Sequence, residues 1–331
     1  MRHTRFLKRT LTLLLSSALL LALCACGQGG GSLSASGASA PPASSTPSSA
    51  GVAYSPLLNS PYAYTYTGGA LQLETENLYQ IQPDSVQPDS AKILVSYDGG
   101  ESFVTVPCAL GTPAGVSAAP YALYISPNVT AAAYYSDGQT HVAISTDRSK
   151  TWTEHSLGDN PFTVQTGGDD FPFVDEGYYI QFVDQAHGWL FIQSAPVEWP
   201  YEGAQQHFCR LFTTADGGST WTETNYPNDL SWGDEPITGI GFSTDKIGFV
   251  SLPITAKRVG PYVERTDDGG ATWQMADLPP INDGTPLSPA FDGANGILPV
   301  ELNYGTVYYR TDDYGKTWTV EPGVLSLYGS Q

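Results

Sequence analysis

The side chains with chemistry to offer in this 331-residue chain are carboxylates and aromatic rings: 33 Asp and Glu stand against 14 Lys and Arg. Trp199 and Tyr201 fall in the run Glu198-Trp199-Pro200-Tyr201-Glu202, and Trp232 in a second irregular stretch. Rings in such places can stack on sugar rings or anchor a protein partner. Asp169, Asp170, Asp175 and Glu176 are oxygen donors of the kind calcium takes. Without EF-hand spacing they read as a solvated acidic loop. Lys257 and Arg258 are rare cations, placed to pair with such acids or to hold an anion. A pair of carboxylates could hydrolyse a glycosidic bond, but nothing marks one pair among so many acids. No Ser-His-Asp set, phosphate-binding loop or Cys/His metal spacing occurs, so neither a metal nor a cofactor is expected.

The charge balance narrows the partners. The formal charge is −19. Arg2, Arg5, Lys8 and Arg9 lie in the first 26 residues, which leaves 33 acids against 10 bases, or −23, for the rest. Such a surface does not bind nucleic acid, because phosphate contacts need a basic face. It does not dock on anionic lipid through a basic patch either.

The N-terminus reads as an address and an anchor. Arg2 to Arg9 is a basic n-region, and Leu11 to Leu23 is an uncharged apolar run too short to span a bilayer comfortably. The run ends Leu23-Cys24-Ala25-Cys26-Gly27, which resembles a bacterial lipobox. That resemblance implies a signal peptide over 1–25, cleavage before Cys26 and diacylation of Cys26. The acyl chains then hold the protein on the extracytoplasmic face of the cell membrane, at about 0.8 kcal/mol per buried methylene. Residues 27 to 53 are Gly, Ser, Ala, Pro and Thr with no charge. They bury too little to offset their ordering entropy and read as a disordered tether. Residues 54–331 are long enough for one large core.

A repeat governs that region. Thr266-Asp-Asp-Gly-Gly-Ala-Thr-Trp273 recurs as Thr311-Asp-Asp-Tyr-Gly-Lys-Thr-Trp318 and as Thr214-Ala-Asp-Gly-Gly-Ser-Thr-Trp221. Weaker copies run from Ser145 to Trp152 and from Ser96 to Phe103. The pattern resembles the Asp-box, or BNR repeat. Its physical logic is a stapled hairpin. The carboxylates of Asp98, Asp147, Asp216, Asp268 and Asp313 accept turn N–H groups, and glycine supplies positive φ. Trp152, Trp221, Trp273 and Trp318 open the next strand and pack between sheets. These aspartates are therefore structural. Upstream, Phe182 to Trp189, Phe242 to Phe249 and Phe291 to Ile297 each read as strand, turn, glycine, new strand. His187 falls in such a turn. The expectation is an all-β chain: a β-propeller of four-stranded blades, five or six in number, with the Asp-box between strands c and d. The units are 54–110, 117–158, 163–228, 236–280 and 288–322, and the tail 323–331 can close the ring. Cys108 and Cys209 then sit in non-adjacent units, which argues against a disulfide.

The phrase "F-x-D-x-x-x-G-W … R-T-D-D-G-G-x-T-W" is similar to the photosystem II assembly factor (Ycf48-like) group. Sialidases and sortilin-type receptors share the Asp-box. The resemblance implies a fold rather than a function. It also implies two faces, with Asp-boxes on one and the b–c loops and d–a links on the other, where propellers bind ligands. Extra length in 154–178 and 194–207 opens on that second face. Trp199, Tyr201, Trp232, Arg258, Asp169 and Asp170 are therefore the ligand-binding candidates, and no residue is assigned as catalytic. Sialidases grip their substrate with three arginines. This region has five: 148, 210, 258, 265 and 310. Only Arg210 and Arg258 fall clear of the Asp-boxes. The expected function is non-catalytic binding of a glycan or extracellular protein at the cell surface. The alternatives are a degenerate sialidase-like glycoside hydrolase and an assembly factor for a membrane complex.

Overall fold

The structure, a computed structural model, describes residues 55–56, 63–67, 70–73, 77–83, 91–108, 110–126, 128–160, 162–166, 169–198, 205–224, 226, 236–253, 260–281, 283–303 and 305–320. Side chains are described within these segments from Asn77 onward, except at 83, 164–171 and 197–206. The chain divides into the units Met1–Pro47 and Ser48–Gln331, and every described residue lies in the second.

The described residues are all-β, with every strand pairing antiparallel. A first sheet holds β1 (Ser55–Pro56), β2 (Ala63–Thr67) and β3 (Ala70–Leu73); a second holds β4 (Leu78–Pro83), β5 (Ala91–Ser96) and β6 (Val104–Thr105). The third is β7 (Tyr121–Ile125), β8 (Thr130–Ser136), β9 (Gln139–Ser145) and β10 (Thr153–Asp159) in simple meander order. A ribbon of β11 (Phe162–Thr166) and β12 (Asp169–Phe173) follows. The fourth sheet is β13 (Asp175–Phe182), β14 (Gly188–Ser194), β17 (Cys209–Thr214) and β18 (Thr222–Thr224), interrupted by a ribbon of β15 (Val197–Glu198) and β16 (Gln205–Gln206). The fifth is β19 (Gly239–Phe242), β20 (Gly248–Leu252), β21 (Tyr262–Thr266) and β22 (Gln274–Met275). The sixth is built on β25 (Asn295–Leu302), with β26 (Gly305–Thr311) and β27 (Thr319–Val320) on one side and β23 (Thr285–Pro286) and β24 (Ala290–Asp292) on the other. Two expectations change here. The first unit, 54–110, holds two three-stranded sheets instead of one four-stranded one. The two insertions expected as loops each carry a two-stranded ribbon.

The sheets stack face to face in chain order, which is why β14, β20 and β21 are buried along their whole length. Side-chain alternation sorts each central strand between two neighbours. On β14, Leu190 and Ile192 join Val142 and Ile144 of the third sheet, while Trp189 and Phe191 join Ile240, Phe242 and Val250 of the fifth. On β20, Val250 faces back and Phe249 faces forward, with Phe291, Leu298 and Tyr309. Ile93 and Val95 of β5 meet Ile125 and Tyr134 of the third sheet in the same way. Strand β2 packs against β24, so the first sheet meets the last.

The Phe-to-glycine signature has a steric cause. A Cβ on Gly188 would lie 2.5 Å from the Phe182 ring, one on Gly248 2.2 Å from Phe242, and one on Gly296 2.5 Å from Phe291. Each ring lies flat on the glycine backbone. The same phenylalanines meet Trp221, Trp273 and Trp318 of their own sheets at centroid distances of 6.1, 6.3 and 6.2 Å. Trp189 stacks on Phe242 of the next sheet at 3.8 Å and 8°.

Each of the five aspartate turns joins the last two strands of its sheet, with one hydrogen-bond set throughout. In the turn after β21, the Thr266 hydroxyl donates to Asp268 Oδ1 at 2.8 Å, and the Thr272 amide donates to the same oxygen at 2.8 Å. The Thr272 hydroxyl donates to Asp268 Oδ2 at 2.6 Å, and the Gly270 amide reaches back to Thr266 Oγ1 at 2.9 Å. Asp98, Asp147, Asp216 and Asp313 accept the matching bonds from Ser102, Thr151, Thr220 and Thr317. Two successive residues take positive φ in every turn, including the non-glycines Arg148 (57°), Ser149 (62°) and Tyr314 (61°).

These bonds favour the carboxylate. The Ser102 hydroxyl and amide hold Asp98 at about 2, and the Thr151 amide and hydroxyl do the same for Asp147. Burial pushes Asp313 up, but the Thr317 amide and hydroxyl outweigh it and leave it at about 2. An unfolded aspartate titrates near ~3.9. The stabilisation is therefore complete above about pH 4 and lost as pH falls through about 2. Asp313→Ala is expected to lower the melting temperature at pH 7 and to converge with wild type near pH 2. An unchanged melting temperature at pH 7 would show that the turn does not depend on its carboxylate.

Candidate functional site

Strands β7, β13 and β19 pack side by side, and β19 packs on β24. They leave a cavity of about 260 Å³ between them. An inner strand has one edge without a sheet partner, so its backbone groups need others. Side chains supply them. Gln181 Oε1 accepts the Phe242 amide at 2.8 Å, Gln193 Oε1 accepts the Ile237 amide at 2.6 Å, and the Tyr179 hydroxyl donates to the Ile237 carbonyl. Ser288 Oγ accepts the Ile240 amide at 3.2 Å.

Residues of the second to fifth sheets line the cavity. Tyr79 of β4, Tyr121 and Tyr124 of β7, and Tyr178 and Tyr179 of β13 line it, with Ile125, Ile180, Ile240 and the polar Asn77, Gln181 and Ser288. None of its described lining residues is Lys, Arg, His, Asp or Glu. The rings of Tyr124 and Tyr178 pack into the core between the third and fourth sheets, and Tyr179 packs against the core between the fourth and fifth. The Tyr124 hydroxyl bonds Ser126, and that of Tyr178 donates to Asp175 Oδ2 at 2.9 Å. Tyr79 and Tyr121 make no hydrogen bond among the described residues, and Tyr121 is 37% exposed at the mouth.

Behind Tyr178 lies a buried carboxylate. Asp175 is 0% exposed, and its Oδ2 also accepts the Thr140 hydroxyl at 2.5 Å. Its amide donates to Asn160 Oδ1 at 3.1 Å. Asp175 Oδ1 and Asn160 Nδ2 have no partner among the described residues. Burial pushes the Asp175 carboxyl up, against the pull of the Thr140 and Tyr178 hydroxyls and of the Arg210 charge. Sequence reasoning set Asp175 in an exposed acidic loop. That reading is corrected: β13 starts at Asp175 and carries it between the third and fourth sheets, while Glu176 stays exposed.

Asp169 and Asp170 pair with Thr166 and Gln165 at the turn end of the β11–β12 ribbon. Trp199, Tyr201, Trp232, Arg258 and Cys26 lie outside the described residues. Arg210 is committed elsewhere. It bonds Glu223 through Nε at 2.8 Å and Nη2 at 3.1 Å, and lies 4.7 Å from the ring centroids of both Phe162 and Phe212. Arg265 bonds Asp267 at 2.6 Å. His187 sits in its turn with Nδ1 2.8 Å from Asp184. No disulfide joins Cys108 and Cys209, and burial pushes their thiols up to about 11 and about 12. The sequence reading missed the five cavity tyrosines. Their only local sign is a tyrosine-rich chain, 20 in all, with several in inner strands.

No protein-family model matches this chain, and none of the curated proteins does. Among solved structures it is similar to YCF48 bound to D1 peptide, at 25% identity and a TM-score of 0.30, covering 50% of this chain and 45% of that one. It is similar to YCF48 from Cyanidioschyzon merolae at 14% identity and a TM-score of 0.40, covering 76% and 77%. It is also similar to a mutant of Trypanosoma rangeli sialidase displaying trans-sialidase activity, at 13% identity and a TM-score of 0.38, covering 66% of this chain and 39% of that one.

Proposed function

We propose that this chain is a lipid-anchored, extracytoplasmic lipoprotein. Residues 54–331 form a propeller of Asp-box blades that binds a glycan or a protein at the cell surface without catalysis. The serial face-to-face stacking of sheets and the contact of β2 with β24 support the ring. The recurrent carboxylate-stapled turn supports the Asp-box reading. The observation that carries the binding reading is the cavity itself, whose described lining includes five tyrosines and no Lys, Arg, His, Asp or Glu. Such a surface can hydrogen-bond a ligand, and its described lining offers no carboxylate pair of the kind that cleaves a glycosidic bond. The commitment of Arg210 to Glu223 weighs against a sialidase-type carboxylate grip. Trp199, Tyr201 and Trp232, outside the described residues, are proposed from the sequence as further ligand contacts.

A screen of the purified chain from residue 27 onward on a glycan array tests this. Binding that leaves the glycan uncleaved on prolonged incubation is the expected result. Hydrolysis would overturn the non-catalytic reading, and a blank array with no partner crosslinked on intact cells would overturn binding altogether. The anchor has its own test. Cys26→Ala is expected to move the protein from the membrane pellet to the soluble fraction; retention in the pellet would remove the lipobox reading.

A further inference from the structure

The side chains of β7 leave the cavity on both sides. Leu123 and Ile125 join the core between the second and third sheets, and Ala122 and Tyr124 the core between the third and fourth. Every residue from Tyr121 to Ile125 nevertheless lines the cavity, so the edge of the strand faces the space. In an antiparallel pair, residues that bond the partner strand alternate with residues whose N–H and C=O point away from it. The hairpin turns fix which are which. The Ser126 amide donates to the Val129 carbonyl at 2.8 Å, one step beyond the pair Ile125 and Thr130. Ala122 and Tyr124 therefore bond β8, while Tyr121, Leu123 and Ile125 turn their backbone groups toward the cavity. The Val183 amide, bonded to the His187 carbonyl, likewise turns Tyr178 and Ile180 of β13 inward.

Strand β19 shows how such an edge is closed. By the same alternation Ile240 and Phe242 turn inward, and theirs are the amides that Ser288 and Gln181 cap. On β7 and β13 the inward backbone groups of Leu123, Ile125 and Ile180 have no partner among the described residues. An unpaired edge of this kind is a template for another strand, with a donor and an acceptor repeating every roughly 6.8 Å. The space and its charge limit what can pair there. About 260 Å³ admits main chain with small side chains, since about 150 Å³ holds one benzene. None of the described lining residues is charged, so a charge inside would be unpaired, and the strongly negative domain repels an acidic segment.

We propose that the free edge of β7 accepts an extended segment of a partner protein as an added strand: a run of small uncharged residues with cationic residues beside it. Its amides and carbonyls pair with Tyr121, Leu123 and Ile125. This rests on the binding reading of the cavity and deepens it by naming a protein segment as the ligand.

The test is residue-resolved amide hydrogen exchange on the lipid-free chain from residue 27 onward, with and without a synthetic peptide of alternating glycine and alanine that carries a lysine at each end. Saturating peptide is expected to slow exchange at Leu123 and Ile125 by about tenfold or more and to leave Ala122 and Tyr124, already bonded to β8, unchanged. Slowing at none of the four, or at all four alike, would overturn strand addition. Leu123→Pro removes an inward amide and spares the bonds to β8. It is expected to fold, by circular dichroism, and to weaken peptide binding in calorimetry by about tenfold or more. Full binding by the folded variant would overturn β7 as the acceptor, and the exchange pattern of the wild type decides the proposal even where the variant does not fold. Glutamate in place of both lysines is expected to weaken binding by about tenfold or more; equal binding would overturn the charge preference. An array-positive protein without peptide protection would sink this edge and leave the binding reading standing. Peptide protection with a blank array would support both, with a protein as the ligand.

Discussion

Gly239→Ala is expected to be the most damaging small substitution in the chain. Gly239 lies on β19, where a Cβ would sit 2.3 Å from the Ser288 nitrogen and 2.6 Å from its Cα. Gly241, two residues on and on the same face, would place a Cβ 2.3 Å from the Pro289 carbonyl oxygen. The obstacles are backbone atoms, which cannot swing aside as the tip of a long side chain can. Moving residues 288 and 289 also disturbs the bonds that fasten this segment. The Ser251 hydroxyl donates to the Leu287 carbonyl at 2.8 Å, and the Thr238 hydroxyl donates to that of Pro286 at 2.6 Å. Overpacking of this kind costs about 3 kcal/mol or more. In a domain of this size that lowers the melting temperature by roughly 6–12 °C. Gly138→Ala is the control. Its φ of 81° is unfavourable for alanine, but nothing lies within 4 Å of its Cβ position. Its cost should stop at about 1–2 kcal/mol. If thermal denaturation shows Gly239→Ala no worse than Gly138→Ala, the fifth and sixth sheets do not approach as closely as described.

The second large effect belongs to Asp175 and separates two substitutions by sign. Asp175→Ala removes the acceptor for the Thr140 and Tyr178 hydroxyls and leaves both buried donors unpaired. Each orphan costs about 1–3 kcal/mol, so the variant should unfold at markedly lower urea. Asp175→Asn keeps an acceptor oxygen and removes the charge. Burial raises the native carboxyl above its unfolded value. Its favourable contribution is thus complete below the unfolded pKa of about 4 and is lost as pH rises through the native one. The Asn variant should match wild type at pH 3.5 and exceed it at pH 7, by about 1.4 kcal/mol for each unit by which the native pKa is raised. This is opposite in sign to the turn aspartates Asp98, Asp147 and Asp313, whose stabilisation disappears in acid. Urea midpoints at the two pH values decide it. An Asn variant weaker than wild type at pH 7 would show that the ionised carboxylate is itself stabilising, and that the Arg210 charge outweighs burial.

Much of the architecture was legible because its cause is local. The aspartate turn closes between residues no more than four apart, from Thr266 through Asp268 to Gly270 and Thr272, so its chemistry is written in one short string. The Phe242-to-Gly248 signature is nearly as local, being one ring lying on one glycine across a hairpin. The first unit was left open between one blade and two for the converse reason. Upstream of Asp98 no such string marks the strand boundaries, and 54–110 divides into two sheets.

Side-chain alternation told which residues of a strand share a face, but not which neighbour each face would meet. Asp175 shows the consequence. In sequence it stands among other acids, two residues before Gly177, and looks exposed. Its burial follows from partners 35 residues upstream and three downstream, Thr140 and Tyr178.

The sequence by itself determined the all-β class and the repeated carboxylate-stapled hairpin. Each of these depends on composition or on residues within one hairpin. Only the tertiary structure decided which residues surround the central cavity. The cavity draws Tyr79, Tyr121, Tyr124, Tyr178 and Tyr179 from three separate sheets, over a span of a hundred residues. No local hydrogen bond or periodicity links them. What brings them together is the stacking of whole sheets, driven by the apolar faces between them, and that stacking leaves the inner strands around a shared space.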